Sequence, residues 1–144
     1  MALKIKTEIK IDSTPEKVWQ VLTQIKEYSV WNPFIKSIKG LLKVGSKIDV
    51  CIQAPKSNEM SFTPTILTCT KNKELSWVGH LLFPGVFDGE HKFELIDNKD
   101  GTTLFIQSET FKGLLVPFFK KQLEVNTHNG FVAMNLKLKE RVEK

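Results

Sequence analysis

Apolar and polar residues alternate along Leu3 to Ile11, with Leu3, Ile5, Thr7, Ile9 and Ile11 on one phase and Lys4, Lys6, Glu8 and Lys10 on the other. A two-residue period predicts a strand with one face buried and one in water. The period then changes. Asp12-Ser13-Thr14-Pro15-Glu16-Lys17 offers a side-chain cap, a proline at an early helical position and an acid in the first turn, which together start a helix. Its inward side is Val18, Trp19, Leu22 and Ile25, and a further short helical turn follows until Pro33 pushes Asn32 out of helical geometry. From Phe34 the alternation returns in short runs: Phe34 to Ile38, Ile48 to Ala54, Phe62 to Thr70, Leu75 to Leu81, Phe87 to Leu95 and Thr102 to Lys112. Turns at 55–58, 71–73, Pro84-Gly85 and 98–101 separate the later ones. Pro64 cannot donate to a ladder, so it argues for an edge or a bulge within the third run.

Val116 to Val142 is the one long pattern of helical period, about 39 Å from Pro117 onward at 1.5 Å per residue. Val116, Phe119, Leu123, Phe131, Met134 and Leu138 form one stripe; Phe118, Val125, Val132 and Leu136 form a second on the opposite side. Two apolar sides predict cover on two sides. Gly130 interrupts the first stripe, either because a neighbour approaches closely there or because room is kept. The strand 102–112 is ambiguous by one residue, and the choice decides what faces inward. We place Phe105, Gln107, Glu109 and Phe111 inward, because the other register sets Glu90 against Glu109 on one face.

The chain has 144 residues, 41% hydrophobic and 26% charged, which predicts one domain over 1–144 with a real core. The N-terminus lacks the continuous apolar region of a secretory signal, and no run approaches the ~20 apolar residues of a membrane span, so a cytoplasmic location is expected. Cys51 and Cys69 are far apart with no CxxC spacing, which suits reduced structural thiols and no metal site. The net charge of +5 invites a nucleic-acid partner, but the lysines are spread over the polar phases of many segments, so none is expected. No GxSxG, HExxH, GxxxxGK[ST] or GxGxxG occurs, and no cofactor is expected.

Thr14-Pro15-Glu16-Lys17-Val18-Trp19 followed by Tyr28-x-x-Trp31-Asn32-Pro33-Phe34 resembles the opening of the SRPBCC superfamily, the START-like or helix-grip proteins. Leu75-Ser76-Trp77-x-Gly79, Gly89-Glu90-His91-x-Phe93-x-Leu95, Gly101-Thr102 and Glu109-Thr110-Phe111-x-Gly113 extend the resemblance along essentially the whole chain, to small bacterial polyketide cyclase/dehydrase-like members. The resemblance implies an α+β fold. A seven-stranded antiparallel sheet would wrap the C-terminal helix, with two short helices after the first strand and a hydrophobic cavity for a lipid, sterol or polyketide.

His91 shares a strand phase with Phe87, Phe93 and Leu95, facing the helix. An imidazole there could bond a ligand oxygen or act as a general base; equally, it could be a core histidine satisfied by Gln107 or Glu109. Glu109 is the second candidate, a carboxyl that in its protonated form could donate to a carbonyl, and the two together would suit enolisation or cyclisation. His80 and His128 fall on surface phases. The aromatics Phe34, Phe62, Trp77, Phe93, Phe111, Phe119 and Phe131 are placed inward and, with Trp31 and Leu123, form the candidate lining. They would equally build a solid core. Gln107 or Asn126 could add an orienting hydrogen bond, and Leu82-Phe83-Pro84-Gly85-Val86 reads as an apolar entrance loop or a packed turn. Three functions follow. The first choice is a binder of one small hydrophobic molecule, as monomer or homodimer; the others are a cyclase/dehydrase-type enzyme using His91 and Glu109, and a protein-interaction module related to heat-shock ATPase activators.

Overall fold

The computed structural model describes residues 2–81 and 83–144. Strand β1 (Ala2–Ile11) is followed by α1 (Pro15–Thr23), a 3-10 turn (Ile25–Glu27) and α2 (Tyr28–Trp31). Thr14 caps α1 through its hydroxyl, which accepts the Lys17 N–H at 3.4 Å. The Asn32 side-chain oxygen accepts the N–H groups of Phe34 (2.9 Å) and Ile35 (2.8 Å), which ends α2 and aims the chain into β2 (Ile35–Lys39). Then come β3 (Asp49–Ile52), β4 (Met60–Phe62), β5 (Thr65–Thr70), β6 (Glu74–Leu81), β7 (Phe87–Asp97), β8 (Thr103–Lys112) and the long α3 (Val116–Glu143).

The strands form a five-stranded antiparallel sheet of order β1-β8-β7-β6-β5 and a three-stranded one of order β2-β3-β4. This corrects the expectation of seven strands in a single sheet. The run from Phe62 to Thr70 is broken at Thr63-Pro64, where proline has no N–H for the ladder. The Pro64 carbonyl still accepts the Ile48 N–H at 3.0 Å, and a lone bridge between Lys47 and Thr65 joins the sheets. The proline thus splits one predicted strand into two and lets the surface bend.

The inward face of α3 carries Val116, Thr127, Gly130, Phe131, Met134, Asn135, Leu138 and Val142, all buried against β1, β8, α1 and α2. A Cβ on Gly130 would overlap the Phe34 ring, so the close-neighbour reading of this glycine holds. Two expectations for α3 fail. Phe119 is exposed and Leu123 half-buried, because the first turns of the helix lie at the rim of the core. The second stripe, Phe118, Val125, Val132 and Leu136, is exposed, so the chain itself covers only one side of its helix. At the start of α3, Gly113 adopts φ +133° directly beneath the Val86 carbonyl, where a side chain would not fit. The N–H groups of Leu114 and Leu115 donate to the carbonyls of Gly85 (3.1 Å) and Val86 (3.0 Å), docking the β6–β7 turn onto the helix start. Leu82 of the expected entrance loop lies outside the described residues.

Candidate functional site

Strand pairing places Ile66, Trp77, His91, Glu109 and Ile5 in one row across all five strands. The next row holds Leu75, Phe93, Gln107 and Thr7. Because side chains in a row share a face, the phase that buries Phe93 and Phe105 also turns His91, Gln107 and Glu109 toward α3. The His91 ring stacks on Trp77 (5.0 Å between centroids, 16°) and meets Phe93 at 4.7 Å and Phe131 of α3 at 5.1 Å. It is held on three sides by aromatic rings.

A single hydrogen-bonded chain crosses this apolar interior. The Thr7 hydroxyl donates to the Gln107 carbonyl (3.4 Å) and accepts from the Asn135 amide (2.9 Å). That turns Asn135 Oδ1 toward Gln107, whose amide donates to it at 2.8 Å. Gln107 Oε1 is then left facing His91 Nε2 at 3.0 Å, and an oxygen there requires an Nε2–H. On the other side of the ring, Nδ1 meets Glu109 Oε1 at 3.2 Å. An imidazole that already donates from Nε2 offers only a lone pair at Nδ1, and a lone pair facing a carboxylate is repulsive. A hydrogen bond at this contact needs a proton on Nδ1 or on Oε1, and either group can carry it. Such a pair can hand a proton outward and take one back.

The pair opens toward one end. The Glu109 side chain is 17% exposed and the His91 side chain 5%. Outward along the strands from this row lie Gly89 and Phe111, then Phe87. A Cβ on Gly89 would come within 2.5 Å of Glu109 Oε2, so the carboxyl occupies the space that a side chain would take. Phe87 packs against Phe111 (5.9 Å) and against the exposed ring of Phe119 (6.0 Å). Phe87, Phe111 and Phe119 thus lie beyond Glu109 on the side toward the start of α3.

The resemblance implies a cavity between sheet and helix; the structure fills that space with rings. Phe34 lies on Phe131 at 5.7 Å, Trp77 on Phe93 at 5.6 Å and Phe93 on Phe105 at 5.7 Å, so these rings pack directly on one another. Two surface hollows lie elsewhere. One, of about 280 Å³, lies between β1 and α3 and is lined by Thr7, His128, Val132 and Asn135; the other, of about 310 Å³, lies against Ser37, Cys51 and Phe62.

Of the sequence candidates, the structure brings together Trp77, His91, Phe93, Gln107, Glu109 and Phe131, with Phe34 behind and Phe111, Phe119 and Leu123 toward the rim. Phe62 is half-buried and packs over Gly79, and Asn126 is half-buried on α3. Trp31 meets Tyr28 edge-on at 5.3 Å, and its indole N–H is buried without a partner among the described residues. Asn135 and Thr7, which orient the chain of hydrogen bonds, are not sequence candidates. The signal for both was present: each is polar on a phase otherwise apolar. Among the described residues no three His, Cys, Asp or Glu side chains converge as a metal would need. Burial pushes the Cys69 thiol up, away from thiolate chemistry.

A sequence family described as polyketide cyclase / dehydrase and lipid transport matches residues 2–143. The chain belongs to this family. No curated protein matches it. Among solved structures, the Zhui aromatase/cyclase from Streptomyces sp. R1128 superposes with a TM-score of 0.79 at 11% identity, over 99% of this chain and 94% of that one. A START superfamily protein from Mycobacterium smegmatis gives 0.76 at 16% identity, over 97% of each chain. A norcoclaurine synthase from Thalictrum gives 0.74 at 12% identity, over 99% and 95%. At these identities the likeness carries the fold. The polyketide cyclase/dehydrase family therefore accounts for the architecture around His91, and the roles of its side chains rest on the geometry above. No helix among the described residues is long and apolar enough to cross a membrane.

Proposed function

We propose that this chain binds a small apolar molecule bearing a carbonyl or hydroxyl oxygen, at the rim of the seam between α3 and the sheet. The observation that carries the reading is the hydrogen-bonded His91–Glu109 pair, the polar point of an aromatic wall, with its carboxyl the more exposed of the two groups. Phe119, which is exposed, and Leu123, which is half-buried, are the side chains that a ligand would displace, and Phe87 and Phe111 would then cover it. Apolar burial supplies the affinity at about 25 cal/mol per Å², and Glu109 supplies orientation. The family description, which pairs cyclase/dehydrase activity with lipid transport, supports this class of ligand.

A second reading, turnover of a polyketide-like substrate, is favoured by the direct contact between the imidazole and the carboxyl. The pair would give its proton to a substrate carbonyl oxygen and take one from the adjacent carbon, a tautomerisation that returns the pair to its starting state. Solved neighbours titled aromatase/cyclase and norcoclaurine synthase support that class of chemistry.

Native mass spectrometry and thermal shift with fatty acids, sterols and aromatic polyketides test both readings. A bound species is expected that raises the melting temperature, with affinity at least ~10-fold weaker in Glu109→Gln, since removing the group that pairs a buried polar partner is costly. If nothing in the panel binds, or if Glu109→Gln and His91→Phe bind like the wild type, the reading fails. Turnover is expected as a change in the substrate's absorbance, lost in both variants.

A further inference from the structure

A surface patch at the end of the molecule that holds the seam's rim is built from two segments, the β6–β7 turn and the start of α3. Phe83 is 70% exposed, Leu114 78% and Phe118 80%, so three large apolar side chains project almost fully into water. Scattered apolar residues are ordinary on a surface, but these are held together. Leu114 and Leu115 donate to the carbonyls of Gly85 and Val86, Val86 N–H donates to the Phe83 carbonyl (3.2 Å), and Phe118 N–H donates to the Leu115 carbonyl (3.1 Å). The turn and the helix start thus form one platform, and Phe119 beside it rests on Phe87.

Three lysines flank the platform along the chain. Lys112 ends β8, just before Gly113, and Lys120 and Lys121 follow Phe119 on α3; all three are exposed. Lys120 approaches Glu124 at 3.9 Å, whereas Lys112 and Lys121 have no ion-pair partner among the described residues. The nearby acid Asp88 is occupied by His80 and by the Gly85 N–H.

We infer that this platform docks on an anionic lipid bilayer, with Phe83, Leu114 and Phe118 entering the interface and the lysines meeting the headgroups. Charge and shape select that partner. A second copy packed face to face would bring lysine against lysine, which opposes association. The apolar groups stand out as knobs on a turn tip and a helix start, a form that enters a deformable interface and that a protein partner could receive only with matching pockets. Each lysine close to an anionic surface raises partition roughly fivefold. Docking in this pose sets the rim of the seam against the bilayer. Exposure and charge alone define this surface, whatever the seam holds.

The test is co-sedimentation of the full chain with vesicles of phosphatidylcholine, with and without about one-third phosphatidylserine. Binding to the anionic vesicles at least ~10-fold stronger than to neutral ones, weakened by added salt, is expected. Phe83→Ser with Phe118→Ser should lower it at least ~10-fold with an unchanged melting temperature, as both side chains are solvent-exposed. Lys112→Gln with Lys121→Gln should lower it several-fold and flatten the salt dependence. Equal binding by the serine variant, absence of binding to anionic vesicles, or a dimer in sedimentation that the serine variant abolishes would each overturn the proposal.

Discussion

Gly130 and Phe34 form a contact between two residues nearly a hundred positions apart. Alanine ordinarily stabilises a helix interior over glycine by about 0.5–1 kcal/mol. At position 130 its methyl would overlap the buried Phe34 ring, itself wedged edge-on against Phe131 at 77°. Overpacking of this kind costs about 1–3 kcal/mol, so Gly130→Ala is expected to lower the melting temperature by several degrees in a calorimetric scan. An unchanged or raised melting temperature would show that Phe34 moves aside freely. His91 makes the complementary point. Its strand phase turned it inward, but its tautomer depends on Gln107, on Asn135 beyond it and on Thr7 beyond that.

Elements in this protein meet through their ends as much as through their faces. The β6–β7 turn is held by Asp88, which accepts the Gly85 N–H at 2.9 Å and lies 2.7 Å from His80 Nδ1. The hydrogen bond from His80, aided by that from Gly85, holds the Asp88 carboxyl below its ordinary 3.8. A depressed carboxylate stabilises the fold above its unfolded value and loses that contribution as pH falls through the folded one. The turn 83–86 is therefore expected to stay latched down to about pH 4 and to loosen below it. A carboxyl-detected NMR titration should place the Asp88 midpoint below 3.8, and a midpoint at or above that value would remove the latch. Pro64 acts at the same scale. By withholding one N–H it turns a predicted strand into β4 and β5 and divides the sheet.

At the scale of the whole molecule, one polar thread ties the first strand to the last helix. Asn135 and Thr7 are 128 residues apart, and Asn135 and Gln107 are 28 apart, yet the three side chains satisfy one another in a buried interior. Asn135→Leu nearly keeps the volume but leaves the Gln107 amide without its partner, at about 1–3 kcal/mol for each buried group so stranded. A urea midpoint lowered by an equivalent of about 2–4 kcal/mol with an unchanged slope is expected. Adding Gln107→Leu should cost less than the sum of the two single changes, because both partners then become apolar. Strict additivity would show that the two amides do not interact.

Periodicity along the chain determined where most of the strands and the long helix lie, that His91 and Glu109 share a face, and that Gly130 marks a close approach or a space. Each of these depends only on residues a few positions apart. Tertiary structure alone decided that the interior is filled by its own rings, because ring-on-ring spacing depends on how strands and helix meet, and a ring lining a hollow reads the same as a ring in a core. It alone decided that the second stripe of α3 faces water, since an apolar residue carries no record of whether a neighbour arrives to cover it. Asn135 became part of the site only when α3 lay across β8 and β1. A polar residue in an apolar stripe announces that a partner is needed, and only the folded chain says which one.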